Sequence, residues 1–439
     1  NSGLTLNLGL RYDKNSTRNQ GDQLVGNAQT LSPRLGVTYD VKGDGTWIAN
    51  ASFAHYVAGF MTQVADAASP AGREASFSYY YQGPSINDGA GPYLTSYQAL
   101  EQMFNWFFAN GGTDRPLAST PSLPGVSTAV DPGIKSESSN EYTFGVSRTL
   151  GQKGSVRADL IFRRFGNIYA NFTNMDTGVV TDPSSGKDFN LTIVKNTDSV
   201  HRSYRGMSVQ FDYRPMRDLQ LNGNWMLSFT KGNVEADNYN SIVSLADADT
   251  YPEYRQASWN YPDGYLNPDQ RHKVRFWGTY TVQMPPAAGT LAVGFMQRFD
   301  SGRNYDYNIS VDTRPYVTNP GYITPPSTVT YYVSGRGEYR FNSVWRTDLS
   351  ISWNHKIVRT SEIFLRFVVN NLFNNLTLES FNTTTLGPND GAGLTAFNPF
   401  TTTPVEGVNW QKGPAFGEAS SPGSYQTPRN FNVSVGIRF

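Results

Sequence analysis

Apolar and polar residues alternate along most of this chain with period 2, the spacing that puts every second side chain on one face of a β-strand. Residues 4–12 set the pattern: Leu4, Leu6, Leu8, Leu10 and Tyr12 fall on one face, and Thr5, Asn7, Gly9 and Arg11 on the other. The same alternation returns at 31–40, 47–56, 141–149, 155–165, 204–214, 219–230, 273–283, 290–299, 344–355 and 362–371. The last segment, 430–439, sets Phe431, Val433, Val435, Ile437 and Phe439 against Asn432, Ser434, Gly436 and Arg438. These are about twelve segments, each near the roughly 9 to 11 residues that a tilted strand needs to cross a bilayer.

The connections alternate as well. Short ones at 41–45, 150–154, 215–218, 284–289 and 356–361 take turns with long ones, of which 57–140 and 374–429 are the largest. Short periplasmic turns and long extracellular loops are the habit of an outer-membrane barrel, and a chain ending at Phe439 on the periplasmic side keeps every connection in phase. Tyr39, Trp47, Tyr213, Tyr280 and Trp353 lie near the short turns, where an interfacial girdle needs amphipathic rings. A soluble all-β protein also has many strands, but its connection lengths need not alternate. One helix is predicted, at 95–110 in the largest loop. Thr95 and Gln98 have capping-box spacing, Leu100, Met103, Phe104, Phe107 and Phe108 form a stripe, and Gly111-Gly112 supplies a stop. The stripe is expected to pack on neighbouring loops over the barrel mouth, with a partner protein as the alternative.

Composition supports a barrel in lipid. Hydrophobic residues are only 38% of the 439, yet aromatics reach 14%, and mean hydropathy is −0.47. A wall with a polar lumen face and aromatic rims has this profile. No stretch approaches the roughly 20 apolar residues of a spanning helix. With 36 Lys+Arg against 36 Asp+Glu, net charge offers no hold on nucleic acid. Cysteine is absent, so disulfides and thiolate chemistry are excluded. The chain begins Asn1-Ser2-Gly3 with neither an initiator Met nor a secretory segment, so upstream residues are expected.

The last ten residues resemble the C-terminal assembly signal of outer-membrane proteins, in which Phe431, Val433, Val435, Ile437 and Phe439 would be read by the barrel-assembly machinery. Leu31-Ser32-Pro33-Arg34-Leu35-Gly36-Val37 with its Gly43-Asp44-Gly45 turn, Asp269-Gln270-Arg271-His272, Arg346-Thr347-Asp348-Leu349-Ser350 and Asn370-Asn371-Leu372-Phe373-Asn374 are similar to TonB-dependent receptors, in particular the Oar-like branch. Nearly the whole chain is covered by this likeness. It implies the C-terminal part of a barrel of about 22 strands in the outer membrane of a Gram-negative-type bacterium. The plug and the TonB-contacting segment would lie outside this chain. It further implies that residues 4–12 and 430–439 do not pair with each other, their partners being earlier strands of the same gene product. A surface lipoprotein is a further conceivable partner.

Candidate chemistry is sparse. His55, His201, His272 and His355 show no metal-site spacing, and no G-x-S-x-G, Walker-type or dinucleotide fingerprint occurs, so no enzyme is indicated. Asp269, Arg271 and His272 are expected to order a junction between loop and barrel. Asp247 and Asp249, with Tyr251, Glu253 and Asp263 nearby, offer oxygen ligands of the kind Ca²⁺ takes, although spaced acids on a solvated loop are the commoner reading. No other cofactor is implied. Asn87-Asp88-Gly89-Ala90-Gly91 and Asn389-Asp390-Gly391-Ala392-Gly393 read as tight loop tips. The outer loops are crowded with rings, and Tyr254, Trp259, Tyr261, Tyr265, Tyr305 and Tyr307 are the candidate ligand contacts. Large rings with hydroxyl or indole groups suit a bulky peptide- or glycan-like ligand, while the competing reading is that they pack loop against loop. A receptor that moves such a ligand is the leading expectation. A passive porin-like channel and a structural or adhesive surface protein are the alternatives.

Overall fold

The computed structural model describes residues 1–439 except 1–2, 20–21, 23, 60–74, 88–90, 119–120, 122, 236–245 and 359–360. Twelve long strands form one antiparallel wall in chain order: β1 (Leu4–Arg18), β2 (Leu24–Asp40), β3 (Trp47–Val57), β4 (Ser138–Thr149), β5 (Gly154–Gly166), β6 (Arg202–Met216), β7 (Leu219–Gly232), β8 (His272–Val282), β9 (Thr290–Asp300), β10 (Val344–Val358), β11 (Ser361–Asn370) and β12 (Asn430–Arg438). A short thirteenth strand, Gly264–Tyr265, pairs beside the end of β7.

Register carries the alternation across the wall. One cross-strand row runs Leu6, Val37, Ala51, Phe144, Leu160, Met207, Leu227. Another runs Gly278, Phe295, Leu349, Val369, Phe431. Because side chains alternate, the neighbouring row Thr5, Thr38, Asn50, Gly145, Asp159, Ser208 faces the other way and is polar. The apolar face is left open, with Leu8 76% and Val435 74% exposed. That is the outward belt of a wall in lipid, and the expected rings Tyr39, Trp47, Tyr213, Tyr280 and Trp353 all fall in its rows. Phe431, Val433, Val435 and Ile437 continue the belt through Val369, Phe367, Leu365 and Ile363 of β11.

β1 pairs only with β2 and β12 only with β11, and among the described residues no ladder joins β1 to β12. Both strands are exposed along nearly their whole length, on both faces.

Several elements differ from expectation. The first outer connection is not a long loop: β1 and β2 continue past the apolar stretch, to Arg18 and from Leu24, so only five residues separate them. The ladder persists through Lys14, Asn15, Asn27 and Gln29 because backbone pairing continues where the strand has left the apolar layer and side-chain alternation is no longer required. The helix α1 (Ser96–Ala109) stands where predicted. Thr95 Oγ1 accepts from the Gln98 N–H at 3.3 Å, Gln98 Oε1 accepts from the Thr95 N–H at 3.0 Å, and Gly111 follows at φ 101°. Its stripe is covered only in part. Phe107 packs on Tyr79 and Trp106 on Tyr81, at ring separations of 5.0 and 4.9 Å, while Leu100, Phe104 and Phe108 stay exposed. A second, four-residue helix, α2 (Ala257–Asn260), was not foreseen because a single turn leaves no periodicity to read.

The long connections form a layer over one end of the wall. In it, Ala246–Thr250, Ile168–Thr173, Thr192–Thr197 and Thr128–Val130 make a four-stranded sheet. The layer has its own core, in which Trp259, Tyr307, Ile309, Tyr331, Phe397 and Trp410 meet from three loops.

Candidate functional site in the outer loop layer

The layer is anchored to the wall by the expected junction. Asp269 is fully buried, with Oδ1 accepting from the Thr230 N–H of β7 at 2.8 Å. Its Oδ2 pairs with Arg340 and lies 3.4 Å from Arg271 Nε. The Arg271 guanidinium also stacks over Tyr265 and Phe229, at 4.2 and 4.6 Å. A buried carboxylate is tolerated only with such partners, and here they tie three chain segments together. His272 stands apart from this pair and stacks on Trp225 at 6.0 Å.

The six candidate rings lie within the packing of the layer. Tyr254 is 1% exposed against Tyr251 and Tyr322. Trp259 stacks on Tyr331 at 5.2 Å and its Nε1–H donates to Gln256 at 3.1 Å. Tyr261 packs beside the Ile168 and Ala170 strand, and Tyr265 lies under Arg271. Tyr307 stacks on Tyr339 at 4.4 Å, and Tyr305 sits 4.7 Å from Phe341. Burial pushes the Tyr305 and Tyr332 hydroxyls up to about 12, because the phenolate is penalised away from water.

Asp247 and Asp249 are engaged by protein groups. Asp247 Oδ1 accepts from Asn171 at 2.9 Å, while Asp249 accepts from Thr197 and Ser199 hydroxyls, each at 2.6 Å. Nearby, Glu253 accepts from Tyr322 and Asp263 meets His201. Among the described residues no group of three acidic or histidine side chains converges on one point. Of the two loop tips, Asn389 to Gly393 is a tight turn, with Gly391 and Gly393 at φ 73° and 69°. Residues 88–90 of the other lie outside the described residues.

A cavity of about 560 Å³ opens between three loops, a size that suits a compact organic ligand. Phe77, Tyr79 and Tyr80 wall one side, and Arg115, Lys187 and Arg314 line it as well. Each cation is positioned by a neighbour. Arg314 forks onto Asp312 at 2.9 and 2.7 Å. Lys187 Nζ donates to the Thr113 carbonyl at 2.9 Å. The Arg115 guanidinium lies 4.4 Å over the Trp106 ring of α1. The Asp312 carboxyl is held below its usual range by the bond from Arg314. Asp114 and Asp188 share the lining, so the site offers ring faces with charged edges of both signs, a surface suited to holding a polar organic molecule. The run Phe77-Ser78-Tyr79-Tyr80-Tyr81 is visible as a ring cluster in the sequence. Arg115, Lys187 and Arg314 carry no such signal, since they arrive from separate loops.

Neither a protein-family model nor a curated protein sequence matches the chain. Solved structures do. The outer membrane transporter YddB from Escherichia coli matches over 100% of this chain and 43% of its own, with a TM-score of 0.50 and 12% identity. The FrpB iron transporter from Neisseria meningitidis matches over 85% and 39%, with a TM-score of 0.44 and 15% identity. The ferripyoverdine receptor of Pseudomonas aeruginosa matches over 99% and 36%, with a TM-score of 0.46 and 10% identity. The chain thus spans less than half the length of the structures it matches. Its sheet order, its outward apolar belt and the YddB likeness agree on the fold: the chain has the architecture of a stretch of the barrel wall of an outer-membrane transporter.

Proposed function

We propose that this chain is the C-terminal portion of an outer-membrane receptor that takes up a bulky organic ligand, peptide- or glycan-like, through its outer loops and passes it across the membrane with TonB-type energisation. The observation that carries this reading is the loop layer: long connections that build their own core and form a cavity of rings and charged side chains belong to a receptor surface rather than to an open channel mouth. The plug, the TonB contact and the remaining strands would come from outside this chain. The doubly exposed β1 and β12 support this, since an unpaired edge in lipid leaves backbone groups unsatisfied at several kcal/mol each. The assembly machinery would read Phe431 to Phe439, and Ca²⁺ at Asp247 and Asp249 remains a proposal for the ligand-bound layer.

Cells with and without the full-length protein, fed labelled oligopeptide and oligosaccharide pools, test the reading. Accumulation that requires the protein and collapses when a protonophore removes the proton gradient is the expected result. Accumulation indifferent to the gradient, together with open conductance in planar bilayers, would replace the receptor with a passive channel.

A further inference from the structure

Several inward cations of the wall are matched by acids: Arg157 meets Asp159 at 2.7 Å, Arg275 meets Asp300 at 2.8 Å, and Arg163 pairs with Glu141. The outward face carries a cluster of cations without such partners. Arg164 of β5 and Lys231 of β7 are both in register with Ser203 of β6, and Arg205 lies two residues further along β6. Adjacent strands are about 4.8 Å apart, so three long cationic side chains start within about 10 Å of one another. All three are exposed, and among the described residues none has a carboxylate partner. The Lys231 ammonium lies over a ring, Tyr265, at 4.5 Å. The outward rows of β5, β6 and β7 contain no acidic residue. Asp269, the carboxylate behind Tyr265, is already engaged by Arg271 and Arg340.

Like charges grouped on one sheet face repel, so the cluster calls for an anion from outside the chain. Beneath it runs a groove of about 580 Å³, walled by Leu160, Phe162, Met207, Leu227 and Phe229. The three cations lie ten to twelve residues from the short-turn ends of their strands. At about 3.3 Å per residue and a tilt near 40° that is about 25 to 30 Å, the outer margin of the apolar band. We propose that this is a binding site for a phosphate-bearing lipid of the outer leaflet, its phosphate held by Arg164, Arg205 and Lys231 and an acyl chain lying along the groove. The site is on the outside of the wall and does not depend on what the loops receive.

The test uses the full-length protein in detergent micelles, with bound lipid read by native mass spectrometry and by displacement of a fluorescent lipid. Bisphosphorylated lipid A, the same lipid with its phosphates removed, and inorganic phosphate are the three probes. Bisphosphorylated lipid A should bind, the dephosphorylated lipid at least tenfold more weakly, and inorganic phosphate should not displace it at matched concentration. Combined R164Q, R205Q and K231Q should lower binding at least tenfold. Met207→Trp, which fills the groove and keeps every cation, should lower it as well. Retention of lipid A by the triple variant, with the heat-resistant folded form intact, would overturn the proposal. So would equal binding of the two lipids, or displacement by phosphate alone.

Discussion

The wall and the loop layer use the same aromatic and aliphatic residues in opposite ways. In the wall the large apolar side chains are the exposed ones, such as Leu10 at 67% and Val433 at 67%. In the core of the layer they are the hidden ones, with Leu266 at 0% and Tyr169 at 1%, while part of the α1 stripe stays open. The difference is the solvent each region meets. Lipid covers the outward rows, so the wall needs no core on that side and is held by its ladder and by polar pairs facing inward. Water covers the loops, so they must bury apolar surface against one another to stay ordered. Stability in the wall is therefore spread over repeated rows, whereas in the layer it rests on a few buried side chains.

The sharpest way to break that contrast is at the joint. Asp269→Ala removes the partner of Arg271 and Arg340 and strands the Thr230 N–H, a loss expected to cost about 3 to 5 kcal/mol. Trypsin should then cut within 233–271 at least tenfold faster while the wall keeps its heat-resistant mobility on gels; unchanged cleavage would show that the layer does not hang on this carboxylate. Within the wall, Val435→Arg should lower folded-barrel stability in urea titrations by about 2 to 4 kcal/mol, because it carries a charge to the lipid face. Its neighbour Ser434 is in register with Arg366, so Ser434→Glu should be silent or stabilise by a few tenths. Equal losses would refute the facing.

A smaller effect is expected inside the lumen at Gly145. A Cβ there would collide with Asp159 Oδ1 and stand 2.7 Å from Asn50 Oδ1, displacing the carboxylate that Arg157 holds. Gly145→Ala should cost about 1 to 3 kcal/mol in the same titration, and a neutral result would mean that the lumen row relaxes freely. In the layer, Thr95→Ala removes the cap of α1 and should cost about 1 kcal/mol locally, seen as faster hydrogen exchange across Ser96–Ala109 with no change in barrel unfolding. The mildest test is alkaline. Tyr305 and Tyr332 have hydroxyls raised to about 12 in the folded layer. A raised folded value means that the neutral form is favoured on folding. Their contribution is complete below about pH 10 and is lost as pH climbs towards 12. Tyrosinate absorbance should show a late-titrating class that merges with the rest once the layer opens.

Much of this molecule could be read without a structure. Strict period 2 in residues such as Leu4, Leu6 and Leu8, interrupted by short turns, is a local signal repeated by every strand, so strand number, facing and order followed from it. The cap at Thr95 and Gln98 was equally local. Tertiary structure alone decided the rest. That Asp269 would be engaged by Arg340, that Tyr307 would stack on Tyr339 and lie against Trp410, and that Arg115, Lys187 and Arg314 would share a cavity depend on loops from different turns of the chain meeting above the wall. The unpaired cations Arg164, Arg205 and Lys231 are of the same kind, since only register places them together. Periodicity encodes which face a residue takes, because that is a property of one strand. It does not encode which distant residue stands opposite, because that is fixed by packing among segments with no common period.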